Sequence, residues 1–343
     1  MRNDEWETLD PESSRVWARI EQALQATTRS THTKKEHVCR NKAIWLDNNK
    51  KVKIGKYIFT VEKRLGSGKY GTIYRVIDDN GKRYTLKRIK LESQGKMISA
   101  VLEYRAFQRI KSLCGRGKNP PVSCPKLIAC VDASEILLLL SYIPGIMLGD
   151  ALFASRKLPA SWLQTQTILA RLADSVAQLH TVGVAHLDLR PNNFVLDDST
   201  PYVIDMGLSC TMEHVEDCSL KTKDKTPYLD PDFNTTEGVK PADFNAADVY
   251  ALGALFRDVL DNYATRFVTN GTQKNEHLKP MSNDNPWLLV DTMQTKPSNM
   301  RPSASRVADI VRSWPTNPPM IPQFVRTRIF RQKSNKRIPR GFH

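Results

Sequence analysis

From Tyr57 onward, apolar and polar positions alternate in the manner of half-buried strands: KYIFTVEKRLG, then TIYRVIDD, a turn at Asn80-Gly81, and KRYTLKRIK. Three antiparallel strands are predicted. A helical segment follows around Met97 to Leu113, and two further apolar runs, Lys126 to Val131 and Ile136 to Ile143, bring the count to five strands and one helix. Beyond Gly145 the period lengthens. In LQTQTILARLADSVAQLH, residues Ile168, Leu169, Leu172, Val176 and Leu179 share one helical face, and in AADVYALGALFRDVL so do Val249, Leu252, Phe256 and Val259. Between these helices lie two short strand-like pieces, Asn193 to Leu196 and Tyr202 to Ile204. The pattern predicts an α+β chain with a small five-stranded antiparallel lobe over about residues 57–141 and a larger, mainly helical lobe over about 146–315.

The two ends read differently. Residues 1–56 form an N-terminal extension in which Val16, Trp17, Ile20 and Leu24 mark a short amphipathic helix, followed by a polar, lysine-rich stretch to Lys56. Residues 316–343 begin with a proline-rich turn and continue as RTRIFRQKSNKRIPRGFH, a basic tail expected to be disordered.

Composition adds limits. With 40% hydrophobic and 25% charged residues over 343 positions, the chain can bury a sizeable core, which excludes disorder throughout. The acidic start lacks the apolar stretch of a secretory signal, and the longest aliphatic run, Ile136 to Leu140, is too short to span a bilayer. A protein of the cytoplasm or nucleus, without membrane contact, is expected. The six cysteines fall at irregular spacings with no CxxC pair, so reduced thiols are expected. Of the net charge of +15, the first 56 residues carry +4 and the last 28 carry +7, leaving +4 for the whole middle. The basic tail therefore suits a polyanion or an acidic partner, or nothing more specific than water.

The candidate chemistry sits in the middle. LGSGKYGTIYRV holds Gly66, Gly68 and Gly71 between two strands, where backbone N–H groups can approach phosphates. Dinucleotide folds share this spacing but lead from a strand into a helix. Lys87 follows in YTLKRIK, and Glu103 in AVLEYRAFQRI on the next helix can pair with it and hold its ammonium against phosphates. The densest signal is AHLDLRPNNFVLDD, with His186, Asp188, Arg190 and Asn193 within eight residues. One carboxylate there can orient a hydroxyl, and an amide oxygen can bind magnesium. Asp205, in YVIDMGLS, supplies a second hard oxygen at the end of an apolar strand.

In this order and spacing the set resembles the eukaryotic-type protein kinase family over about residues 57–315. The resemblance implies a two-lobed kinase fold that uses ATP and Mg2+ to phosphorylate a protein substrate. It implies Asp188, Lys87 and Arg190 as catalytic residues, and Gly66, Gly68, Gly71, Lys87 and Glu103 as nucleotide-binding ones. Ser141 and Ile143 would face adenine through their backbone beside Leu140, and Asn193 and Asp205 would bind the metal. Asp248, in DVYALG, would brace the loop around Asp188, and Asp232, in TPYLDPD, would pair with Arg301.

Three departures carry expectations. Leu187 stands where the family has arginine before the catalytic aspartate, so the pocket that reads an activation-segment phosphate lacks an arm and activity without that phosphorylation is expected. Arg190, followed by Pro191, stands for the lysine of serine/threonine kinases, and Met206 replaces phenylalanine after Asp205. A small-molecule kinase of related fold and a catalytically silent scaffold remain as alternatives. SYIPGIMLGDAL and the short stretch from Asp248 to Arg301 speak for the first; retention of Lys87, Asp188, Asn193 and Asp205 speaks against the second.

Overall fold

The computed structural model describes residues 41–68, 71–115, 120–131, 134–154, 159–214, 226–231, 241–269, 285–319 and 321–336. The expected helix over residues 12–26 lies outside them. Seven strands form the small lobe: β1 (Asn41–Leu46), β2 (Lys51–Ile54), β3 (Tyr57–Gly68), β4 (Gly71–Asp78), β5 (Arg83–Lys90), β6 (Pro125–Val131) and β7 (Glu135–Ser141). They run in the order β1-β2-β3-β4-β5-β7-β6, and parallel pairing of β1 with β6 closes them into a barrel. The five expected strands are β3 to β7. β1 and β2 are additions, so the extension expected to end at Lys56 instead contributes residues 41–54 to the lobe.

Simple alternation explains the addition: Val52 and Ile54 are buried while Lys51 and Lys53 are exposed. Trp45, packed against the barrel core, fastens the hairpin. Its Nε1 donates to Glu135 Oε2 at 3.2 Å, the Arg88 guanidinium lies 4.7 Å from its ring centroid, and Tyr74 meets it edge-on at 6.1 Å.

Helix α1 (Gln94–Ile110) starts at Ser93, whose hydroxyl accepts from the Lys96 amide. Its buried side Ala100, Val101, Phe107 and Ile110 joins Ile89, Ile136 and Leu138 of the barrel's outer face in the main core, which continues into the second lobe. Leu86 points into the barrel; its neighbour Lys87 therefore emerges on the opposite side of β5, toward the second lobe.

The second lobe is built on α2 (Trp162–Thr181), α3 (Pro241–Thr269), α4 (Pro286–Met293), α5 (Ala304–Ser313) and α6 (Gln323–Lys336). The apolar faces expected on α2 and α3 are buried throughout. Five short strands carry the loops between the lobes: β8 (Ile146–Met147), β9 (Val184–Ala185), β10 (Phe194–Asp197), β11 (Thr200–Val203) and β12 (Cys210–Thr211). They pair as β11-β10-β8 and β12-β9. Among the described residues no helix is long and apolar enough to cross a membrane.

Two expectations fail here. The basic tail is ordered over α6: Ile321, just before the helix, and Val325 and Ile329 within it are buried at four-residue spacing, and Arg328 Nη2 meets Asp261 Oδ1 of α3 at 2.6 Å. Among the described residues the thiols are not reduced: Cys114 and Cys124 form a disulfide, Cys210 is also disulfide-bonded, and no described cysteine is free. The turn after α1 brings Cys114 and Cys124 to a Cα separation of 5.9 Å, a proximity that linear spacing does not reveal.

Candidate active site

The site forms where β5, α1 and the loops around β10 and β11 converge. Lys87 is only 3% exposed, and burial of an ammonium requires partners. It has two, from opposite sides of the cleft: Glu103 Oε2 on α1 at 2.6 Å and Asp205 Oδ1 after β11 at 2.7 Å. Burial works against the Lys87 charge, but the two carboxylates outweigh it and hold the pKa above the ordinary lysine value. Glu103, fully enclosed, is pushed up by burial to about 7 with Lys87 pulling it back. Burial also opposes the Asp205 charge, yet the Lys87 ammonium prevails and keeps its pKa below the usual aspartate value. Asp205 is thus the firmly ionised member facing the cleft.

The loop from His186 to Asn193 is fixed from below. Asp248 on α3, wholly buried, accepts from the amides of His186 at 2.7 Å and Leu187 at 2.8 Å and meets His180 Nε2 at 3.0 Å. Those bonds hold Leu187 at φ 61°, a left-handed conformation that costs a non-glycine residue roughly 1–3 kcal/mol. Asp205 shares that region at φ 62°, anchored by Lys87 and by the Gly207 amide, which donates to Oδ1 at 3.2 Å.

Two groups position Asp188. Asn193 Nδ2 donates to its main-chain carbonyl at 2.7 Å and to Oδ2 at 2.8 Å, and Arg190 Nη2 reaches Oδ1 at 2.7 Å. Burial raises the Asp188 pKa, with His186, Arg190 and Asn193 opposing the rise. Since both Asn193 donor bonds go to Asp188, its Oδ1 is left as a hard acceptor beside the Asp205 carboxylate, whose Oδ1 alone is engaged with Lys87 and Gly207. That donor set suits a small hard dication bound by few protein ligands plus substrate oxygens.

A cleft of about 660 Å³ opens over these groups. Gly66, Gly68, Lys87, Glu103, Ser141, Ile143, Asn193 and Asp205 all line it, which brings most of the expected binding residues together. Gly71 is not among the lining residues. At φ +153° its missing Cβ would sit 2.6 Å from the Arg88 carbonyl oxygen, so this glycine serves close packing of β4 on β5. Gly66 and Gly68 face open space. Met206 is fully buried in the core that includes Phe107.

Arg301 has a buried partner that the sequence did not single out. Arg301 pairs through both terminal nitrogens with Asp230, both side chains being buried; Asp232 lies outside the described residues. Nearby, Tyr228 donates its hydroxyl to Asp258 Oδ2 of α3 at 2.6 Å. Sequence reasoning missed Ser123, Thr85 and Asp150 in the cleft wall, and Tyr228 with Asp258 below it. Each is an ordinary polar residue in a loop or strand, and only the folded chain marks it.

A family model described as "Protein kinase domain" matches residues 59–324. Among similar proteins, wall-associated receptor kinase-like 14 of Arabidopsis thaliana is 26% identical over 59% of this chain and 28% of its own length. Serine/threonine-protein kinase D of Synechocystis sp. is 28% identical over 57% of this chain and 39% of its own, and serine/threonine-protein kinase PKH3 of Eremothecium gossypii is 26% identical over 59% and 28%. The chain thus spans well under half the length of these relatives.

Proposed function

The chain belongs to the protein kinase family, and on that premise we propose that it is an active serine/threonine protein kinase that transfers the γ-phosphate of ATP to a protein hydroxyl. The observation that carries this reading is Lys87, bonded at once to Glu103 and Asp205 across the cleft, with Asp188 and Asn193 beside them. An arrangement this costly to bury is hard to account for without a charged ligand to receive it.

In this reading Lys87, aligned by Glu103, holds the nucleotide phosphates. Gly66 and Gly68 let the β3–β4 loop approach them from above, and the backbone of Ser141 and Ile143 meets the adenine edge. Asn193 Oδ1 and the free oxygen of Asp205 would hold Mg2+, which when bound neutralises charge on the transferring phosphoryl group. Asp188, positioned by Asn193, orients the acceptor hydroxyl and takes its proton, while Arg190 offsets charge next to it. Similarity to serine/threonine-protein kinases of Synechocystis and Eremothecium supports serine or threonine as acceptor.

Leu187 supports activity without phosphorylation of the activation segment. It offers no cation to a phosphate, and its backbone is held instead by Asp248. Treatment of the purified protein with phosphatase should leave its rate unchanged; loss of activity would end that part of the reading. For the whole, the protein is incubated with labelled ATP, Mg2+, a protein panel and a small-metabolite panel, and the acceptor residue is identified. Label on protein serine or threonine is expected. Label confined to a metabolite would transfer the site to a small-molecule kinase.

A further inference from the structure

Ser123 lines the cleft beside Ser141. It is 4% exposed, and its backbone is fixed: its amide donates to the Val203 carbonyl at 3.0 Å beside a parallel bridge between Val122 and Val203. Its Oγ donates to the Ser141 carbonyl at 3.2 Å. Ser141 is otherwise engaged with Cys124, its amide donating to the Cys124 carbonyl and its Oγ accepting from the Cys124 amide, each at 2.8 Å. The Ser141 carbonyl, with two lone pairs, and the Ser123 hydroxyl, whose proton rotates freely about the Cβ–Oγ bond, are therefore neighbours on the same wall.

We infer that the cleft accepts a 6-oxopurine nucleotide such as GTP as well as ATP, with Ser123 as the group that confers this tolerance. The inference rests on the reading of the cleft as a nucleotide site with the purine edge against residues 141–143. A 6-aminopurine presents a donor beside an acceptor, and the Ser141 carbonyl with the Ile143 amide satisfies that pair while Ser123 keeps its own bond to the second lone pair. A 6-oxopurine presents the reverse, the acceptor O6 beside the donor N1–H. Rotation of the Ser123 hydroxyl away from the carbonyl produces the matching donor–acceptor pair, 3.2 Å apart, with Ser141 O receiving N1–H. No covalent rearrangement is needed, and the bond Ser123 gives up is replaced by one to the base. With N1–H on Ser141 O and no hydroxyl at position 123, O6 in this pose would lack a donor, a mismatch whose cost a purine lacking O6 does not bear.

The test measures equilibrium binding of ATP, GTP and inosine triphosphate, each with Mg2+, to the full chain as wild type, Ser123→Ala and Ser123→Thr. Inosine triphosphate keeps O6 and lacks the 2-amino group, which isolates the 6 position. Wild type is expected to bind both 6-oxopurines within about tenfold of ATP, a gap no larger than one hydrogen bond. Ser123→Ala should weaken both 6-oxopurines roughly tenfold or more while ATP shifts less than about threefold, and Ser123→Thr should retain all three. If wild type binds ATP but binds the 6-oxopurines more than about a hundredfold more weakly, the inference fails and the nucleotide reading stands. If no nucleotide binds, both fail. An equal loss of all three in Ser123→Ala, with an unchanged melting temperature, would reduce Ser123 to a brace for residue 141 and overturn the inference. Should Ser123→Ala not fold, the wild-type and Ser123→Thr arms decide alone.

Discussion

Asp230→Ala removes the carboxylate that Arg301 meets with both terminal nitrogens, at a contact where the two side chains are 3% and 0% exposed. Breaking one side of a buried ion pair strands a charge, at about 3–5 kcal/mol. Arg301 would not be wholly abandoned. It also donates to the carbonyls of Thr295 and Ala246, each at 3.0 Å, and its guanidinium lies 5.2 Å from the Tyr250 ring centroid. Those contacts place the expected loss near 3 kcal/mol, or roughly 6–12 °C of melting temperature for a domain of this size. Asp232→Ala, at the position where the family motif places the partner, should shift stability by less than about 0.5 kcal/mol. The assay is thermal and urea unfolding of wild type, Asp230→Ala, Asp232→Ala and the double variant Asp230→Leu with Arg301→Met. The double variant should recover most of the loss, since apolar groups can replace a buried pair. A large loss at Asp232 with none at Asp230 would refute the pairing and the placement of the segment around it.

Trp45→Ala should destabilise the protein by roughly 1–2 kcal/mol, through loss of the Arg88 and Glu135 contacts, and lower the urea midpoint; an unchanged midpoint would detach the β1–β2 hairpin from the folded unit. Asp258 gives a pH signature. Burial raises its pKa to about 6 from 3.8, with the Tyr228 hydroxyl and nearby arginines opposing the rise. Because the folded value is the higher one, the stability this group contributes is fully present below about pH 4 and lost as pH climbs through 6, a change of at most roughly 3 kcal/mol. Asp258→Asn should flatten that part of the stability profile; a profile identical to wild type would place the titration elsewhere.

The loop from His186 to Asn193 was legible from sequence because its chemistry is local. Asp188, Arg190 and Asn193 lie within six positions, and the contacts among them are short-range consequences of that spacing. The Lys87–Glu103 pair needed one longer step, from a strand to the next helix, and strand alternation with helix periodicity was enough to supply it. Features depending on distant contacts were hidden. Val52 and Ile54 alternate with exposed lysines at 51 and 53 over only four residues, too short a run to distinguish a strand from a polar loop. At the tail, seven cations obscured the four-residue spacing of Ile321, Val325 and Ile329. That Arg301 meets Asp230, and Cys114 meets Cys124, depends on a chain path that no motif encodes. Ser123 is the extreme case, a serine in a loop whose hydroxyl meets a carbonyl eighteen positions away.

The proposal that the Lys87, Asp188, Asn193 and Asp205 cluster performs phosphoryl transfer is tested most directly by following γ-phosphate from labelled ATP with Mg2+ into protein, using wild type beside Asp188→Asn and Asp205→Asn. Wild type should label serine or threonine, and each variant should fall at least about a hundredfold, as expected when a group acting on the transferring phosphoryl or the attacking hydroxyl is lost. Equal labelling by all three proteins, or no labelling above the enzyme-free blank by wild type, would contradict the account.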